Sequence, residues 1–61
     1  MRTKEEIIRA LKVVILELEN GGQSENLQNY LVTKIEILAD ILNDDLPIEL
    51  YDSVNKWLYD I

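Results

Sequence analysis

A chain of 61 residues with no cysteine and no histidine leaves room for one small domain and for few kinds of chemistry. The lack of cysteine excludes disulfides and thiolate sites, and the lack of histidine removes the commonest zinc ligand and the usual general base near neutral pH. Twelve acidic against six basic side chains give a formal net charge of −6, which opposes binding to phosphate backbones and favours basic partners.

No charged N-terminal segment leads into a long apolar run, and no apolar run approaches about 18 residues. The sequence also contains no internal repeat and no low-complexity segment. It therefore predicts neither a secretion signal nor a membrane span, and we expect a cytoplasmic protein.

The first predicted helix spans about residues 4–20. Thr3 and Glu6 have the spacing of a capping box, in which each side chain accepts a hydrogen bond from the amide of the other residue. The residues that follow show the i, i+3, i+4, i+7 spacing of an amphipathic helix, with apolar positions at Ile7, Ile8, Leu11, Val14, Ile15 and Leu18. Gly21-Gly22 ends this helix, because glycine enters the left-handed cap conformation without steric cost.

The second predicted helix spans about residues 25–43, with Ser24 as its N-cap. Its apolar positions are Leu27, Tyr30, Leu31, Ile35, Ile37, Leu38, Ile41 and Leu42. At about 100° per residue they cover well over half of the helix circumference, which is too wide for contact with one neighbour. We therefore expect this helix to be central.

The third predicted helix spans about residues 47–60. Pro47 fits the first helical position, and the preceding Asn43-Asp44-Asp45 suits the positive end of the helix dipole. The apolar stripe of this helix is Leu50, Tyr51, Val54, Trp57, Leu58 and Ile61. We expect these side chains to pack on the other helices, whereas Tyr59 projects from the flank.

These elements predict a single all-α domain over residues 1–61. Linkers of about four and three residues allow either a compact three-helix unit or a helical hairpin with a short third helix folded across it. A chain of this size buries only about 60% of the surface of its unfolded form, so its stability is marginal. Since disulfides and thiolate metal sites are excluded, we expect a homodimer.

Familiar chemical motifs are missing from the places where they could occur. Asp44-Asp45 lacks the alternating acids, central glycine and closing glutamate of a calcium loop, and Gly21-Gly22 does not follow a strand as a phosphate loop would. The third helix carries more acidic than basic residues, which opposes its use in reading DNA. We expect no catalytic residue, no cofactor, no metal site and no direct binding of nucleic acid.

Two sets of residues are candidates for contact with other proteins. Apolar residues outside the centres of the predicted stripes are candidates for a dimer or partner interface: Val13, Leu16, Val32, Ala39, Ile48 and Tyr59. Acidic residues follow one another at the end of the second helix and form a candidate face for a basic partner: Glu36, Asp40, Asp44, Asp45 and Glu49. Lys34 interrupts the apolar arc, where it either lays its stem over the core or pairs with an acid of a second copy.

The sequence thus favours a small acidic helical module that regulates or adapts a larger protein by binding it, as a homodimer. The alternative is an acidic inhibitor that imitates nucleic acid and blocks a DNA- or RNA-binding protein. These two functions differ in salt dependence, because charge pairing weakens as salt rises and apolar docking does not. A structural subunit of a larger assembly is a third possibility.

Overall fold

The computed structural model describes residues 3–59, and all of its regular structure is helical. The helices are α1 (Lys4–Asn20), α2 (Glu25–Leu42) and α3 (Ile48–Tyr59), with one turn of 3-10 helix at Asn43–Asp45. The all-α fold with three helices is confirmed, and the described ends lie within one residue of the predicted ones. The predicted contributions of residue 60 and Ile61 lie outside the described residues. Within the described part of the chain, no helix is long and apolar enough to cross a bilayer.

Local capping interactions explain where α1 and α2 begin and where α1 ends. Oγ1 of Thr3 accepts from the Glu6 amide at 3.2 Å, and Oγ of Ser24 accepts from the Leu27 amide at 3.2 Å. The other half of the expected capping box differs, because Glu6 Oε1 accepts from the Thr3 hydroxyl at 3.4 Å. Gly21, with φ of 77°, donates its amide to the carbonyl of Leu18 and ends α1 as predicted.

The junction between α2 and α3 differs from the expected one. Asn43 has φ of 48° and caps α2, with its amide donating to the Ala39 carbonyl. With ψ of −116°, Asn43 lies outside the left-handed helical region that asparagine tolerates, so a residue with a side chain is strained there. The Leu46 amide then closes the 3-10 turn on the Asn43 carbonyl, and the Pro47 carbonyl accepts from Leu50 at the start of α3. The prediction that α2 extends through residue 43 was therefore one residue too long.

The core consists of nine buried apolar side chains, and no buried residue in the range 3–59 is polar. All nine come from the predicted stripes: Leu11, Val14, Ile15, Leu18, Leu31, Ile35, Leu42, Leu50 and Val54. Leu11 of α1 and Ile35 of α2 have no exposed surface and form its centre. These positions carry the packing energy of the domain.

The α2 helix makes more extensive contact with α1 and with α3 than those two helices make with each other, as expected for its predicted central position. The α1 and α2 helices form a hairpin, and α3 packs on that hairpin mainly against α2. Two exposed ion pairs also join α1 to the following elements: Lys4 Nζ lies 3.4 Å from Asp45 Oδ1, and Lys12 Nζ lies 3.8 Å from Glu49 Oε1. Exposed pairs of this kind contribute only about 0–1 kcal/mol, so apolar packing holds the helices together.

Replacing Leu11 with alanine is expected to lower the free energy of unfolding by about 2–5 kcal/mol, because it opens a cavity at the centre of the core. The matched control is Leu16→Ala on the same helix, where the exposed side chain is expected to contribute less than about 0.5 kcal/mol. Urea unfolding followed by circular dichroism at one chain concentration measures both. Equal losses for the two variants would contradict this description of the core.

Substituting Asn43 tests the positive φ at the end of α2. A β-branched residue is strained there, so Asn43→Val is expected to lower the free energy of unfolding by about 1–2 kcal/mol. Asn43→Gly removes the strain and is expected to leave stability unchanged or higher. The same urea titration measures both variants, and a valine variant as stable as the glycine variant would contradict the cap.

Candidate protein-interaction surfaces

A row of exposed side chains runs along one side of α2 with spacings of three and four residues. We call it the α2 stripe, and it comprises Leu27, Tyr30, Lys34, Ile37 and Ile41. About half of each apolar member is exposed, from 44% for Leu27 to 59% for Ile41. A seven-residue repeat of this form is typical of a helix face that packs along another helix.

The α2 stripe corrects one expectation from the sequence. The central position of α2 was expected to cover its whole apolar arc, but the apolar side chains of the α2 stripe remain largely in solvent. The buried positions of α2 are Leu31, Ile35 and Leu42. Each follows a member of the α2 stripe by one residue, so the buried face is turned by about 100° around the helix axis from the stripe. The arc is therefore wider than α1 and α3 together can cover.

Two contacts on α1 place α3 and the α2 stripe on opposite sides of the hairpin. Lys12 pairs with Glu49 of α3, whereas Val13 lines an open groove together with Lys34 of α2. Counted from buried Leu11, Lys12 is turned by about 100° in one direction, whereas Ala10, which lines the same groove as Val13 and Lys34, is turned by about 100° in the other. Because α3 covers the Lys12 side, the side that carries Lys34 has no third helix over it.

The groove beside the α2 stripe lies between α1 and α2 and has a volume of about 360 Å³. Its lining is mixed, with apolar and charged residues of both signs: Glu6, Arg9, Ala10, Val13, Val14 and Lys34. Half of Val13 is exposed, so it extends the apolar surface of the α2 stripe onto α1. The two helices together present apolar side chains with Lys34 among them and with Glu6 and Arg9 in the adjoining groove.

Lys34 lies within the α2 stripe and follows the helix surface toward Tyr30. Its Nζ is 5.3 Å from the centroid of the Tyr30 ring, which is within the range of a cation–π contact. The side chain is exposed and forms no ion pair within residues 3–59. An ion pair between Lys34 and an acid of a second copy stays a prediction.

The predicted interface residues fall into two groups. Val13, Leu16, Ile48 and Tyr59 are exposed, with 82% of Ile48 and 72% of Tyr59 in solvent. Two others were expected at the edge of the α2 arc, but Val32 and Ala39 are half-buried and pack against the core. Their place in an interface stays a prediction, with less exposed surface than the other four residues offer.

The predicted acidic face is divided by the two lysines of α1. Asp45 and Glu49 pair with Lys4 and Lys12, because the 3-10 turn directs the chain back over the N-terminal half of α1. The remaining members are exposed and form no ion pair within residues 3–59: Glu36, Asp40 and Asp44. Within the same range, no group of three potential ligands is placed to hold a metal ion.

The only tryptophan of the chain lies half-buried on α3. Its Nε1 is buried, and no residue in the described part of the chain accepts from it. Lys56 Nζ lies 5.5 Å from the centroid of the same ring. Trp57 thus packs against the core as predicted, and its indole N–H finds no acceptor within residues 3–59.

Comparison of the chain with protein-family models, with curated proteins and with solved structures found no match. The surfaces described above are therefore the basis for its proposed function.

Replacing Trp57 with phenylalanine is expected to change the free energy of unfolding by less than about 1 kcal/mol, because an aromatic ring stays packed on the core and the indole N–H that is lost has no acceptor within residues 3–59. Trp57→Ala also removes the packed ring and is expected to lower the free energy of unfolding by about 3–5 kcal/mol. Urea unfolding followed by circular dichroism compares the two. A phenylalanine variant as unstable as the alanine variant would mean that Nε1 makes a stabilising hydrogen bond.

Proposed function

We propose that this chain is a small acidic helical protein-interaction module that acts as a regulator or adaptor by binding a larger protein, and that it works as a homodimer. The observation that carries this proposal is the exposure of large apolar side chains on all three helices. Single exposed apolar residues are common on any protein, but the continuous α2 stripe is a feature of association surfaces.

The exposed apolar residues on the other helices give the module further contact surfaces. Val13 and Leu16 lie three residues apart on α1, and more than half of each is in solvent. Ile48 and Tyr59 lie eleven residues apart on α3, which is three helical turns, so they share one face. Surfaces on separate helices allow one to pair copies of the chain while another binds a larger partner.

The alternative function, an inhibitor that imitates nucleic acid, receives less support. Such an inhibitor presents a dense row of negative charge to a basic site. Two of the five carboxylates in the expected row lie beside lysines, which reduces its negative potential. Glu36, Asp40 and Asp44, which form no ion pair within the described part of the chain, remain as the acidic surface of the module.

A capture experiment tests the proposed function. The immobilised chain is exposed to an extract of its source cells and washed at about 0.1 M and then about 1 M salt, which reduces the Debye length from about 10 to about 3 Å. We expect a saturable protein partner that remains bound at high salt, because apolar contacts are not screened. A titration with the purified partner then gives its Kd for the variants.

Two double variants assign the surface that the larger partner uses. Leu16→Ser with Ile48→Ser reduces the apolar surface and is expected to weaken binding of the partner at least about tenfold, or about 1.4 kcal/mol. Glu36→Gln with Asp40→Asn is the matched control and is expected to leave binding within about threefold. Loss of binding in the acidic double variant but not in the apolar one, with elution of the partner by salt, would favour the nucleic-acid mimic. Capture of no saturable partner would contradict both functions.

A further inference from the structure

We infer that the α2 stripe is the surface through which two copies of this chain pair, with their α2 helices antiparallel. The pairing places each Lys34 beside Asp40 of the partner subunit. This inference rests on the self-association in the proposed function and assigns its surface and geometry. It differs from the interface expected from the sequence, for which the candidates were Val13, Leu16, Val32, Ala39, Ile48 and Tyr59.

The pattern of α2 fits a helix that pairs along its length. The members of the α2 stripe lie at residues 27, 30, 34, 37 and 41, so the repeat continues through four of the five turns of an 18-residue helix. Its apolar members are isoleucine, leucine and tyrosine, which pack well between helices. A flexible or irregular partner would not require this regular spacing.

The exposed area of the α2 stripe is sufficient for a small dimer interface. About half of each of its large apolar side chains is exposed, and Val13 adjoins them. Together they expose an apolar area on the order of 500 Å² per copy. Two copies would bury on the order of 1,000 Å², the lower limit for a specific interface. A reversible dimer with a Kd in the micromolar range is therefore expected.

The large accessible surface of the chain also favours a second copy as the partner that covers the α2 stripe. The accessible surface of the chain is 4701 Å², whereas a compact monomer of 7.1 kDa exposes about 4,100 Å². Small domains without disulfides or metals gain stability by association, and this chain contains no cysteine and no histidine. Burial of the α2 stripe would reduce the apolar surface that the folded monomer leaves in water.

The charges beside the α2 stripe permit two copies to meet there. Glu6, Arg9 and Lys34 line the adjoining groove and nearly balance one another, although the whole chain carries a net charge of −6. Close contact at this surface therefore brings together few like charges. Repulsion between the two acidic subunits acts over a longer distance and is screened by salt, so the dimer is expected to tighten as salt rises.

The position of Lys34 selects the orientation. A parallel pair would place Lys34 beside Lys34 of the partner subunit, and an antiparallel pair centred on residue 34 would do the same. An antiparallel pair with its two-fold axis between Lys34 and Ile37 instead places Lys34 against Ile37 of the partner subunit. The lysine then lies one turn from Asp40 of the partner subunit, and two equivalent ion pairs form across the axis.

Sedimentation equilibrium of the full chain tests the surface. The wild type is expected to show a mass between 7.1 kDa and twice that value, rising with concentration. Ile37→Glu is expected to raise the dimer Kd by about 100-fold, about tenfold for each copy of the residue. The control is Asn55→Glu, which adds the same charge at an exposed position of α3 outside every proposed surface and is expected to leave the Kd within about threefold.

Circular dichroism of the same samples shows whether each variant retains its helices, as expected for residues that are exposed in the single chain. A monomeric wild type at every concentration, or a dimer that Ile37→Glu does not weaken, would overturn the inference. Neither result would decide the capture experiment, which measures binding to a different protein. Failure of the dimer and failure of the proposed function are therefore distinguishable.

Charge exchange tests the predicted contact between Lys34 and Asp40 of the partner subunit. Lys34→Asp and Asp40→Lys each place like charges together and are expected to raise the dimer Kd about tenfold. The double variant restores opposite charges and is expected to recover most of the wild-type affinity. Additive losses in the double variant would overturn the assigned register.

Introduced cysteines test the antiparallel orientation, since the chain has none of its own. Ile37→Cys lies near the predicted axis and is expected to be cross-linked rapidly by a short bismaleimide. Leu27→Cys is expected to react slowly, because its two copies would lie about 25 Å apart at 1.5 Å per residue. Equal rates at both positions would indicate a parallel pair and overturn the antiparallel geometry.

Discussion

The width of the apolar arc on α2 is the constraint on which the rest of the structure depends. Ile35 is completely buried, and Leu31 and Leu42 beside it are nearly so, because α2 lies between its two neighbours. The third helix has only 12 residues and covers one side of the hairpin. The other side of α2 keeps apolar residues in water, and that surplus gives the small domain a surface for association.

The distribution of charge on the surface also follows from the packing of α3 on one side of the hairpin. The turn after α2 brings Asp45 to Lys4 and Glu49 to Lys12, so part of the acidic segment is balanced within the chain. Glu36, Asp40 and Asp44 form no ion pair within residues 3–59 and do not line the groove that Lys34 lines, where Glu6 is the one acid. An acidic protein can therefore have a nearly neutral surface on one side and a negative one on another. In the inferred dimer Asp40 takes part in the contact between copies, and Glu36 and Asp44 would serve charge-steered recognition.

Most of the fold was predictable because its signals are local. Thr3, Ser24 and Gly21 act on amides or carbonyls within one turn, and their effects do not depend on the rest of the chain. The cap at Asn43 was missed, although asparagine at the end of an apolar repeat is itself a stop signal. The α2 stripe was also present in the sequence, as a second repeat displaced by one residue from the buried one. Periodicity alone did not separate it from the core repeat.

The sequence by itself determined the three helices, the starts of α1 and α2, the end of α1 and the residues able to form a core, because capping and helical periodicity act over a few residues. Only the tertiary structure decided which flank of α2 is covered: Val32 and Ala39 pack against the core, whereas Ile37 and Ile41 stay exposed. The hydrophobic effect has no direction. When the apolar arc of α2 is wider than the area that α1 and α3 can cover, the sequence indicates that part of the arc is buried but not which part. That choice depends on the path of the chain through Asn43–Asp45 and on the placement of α3.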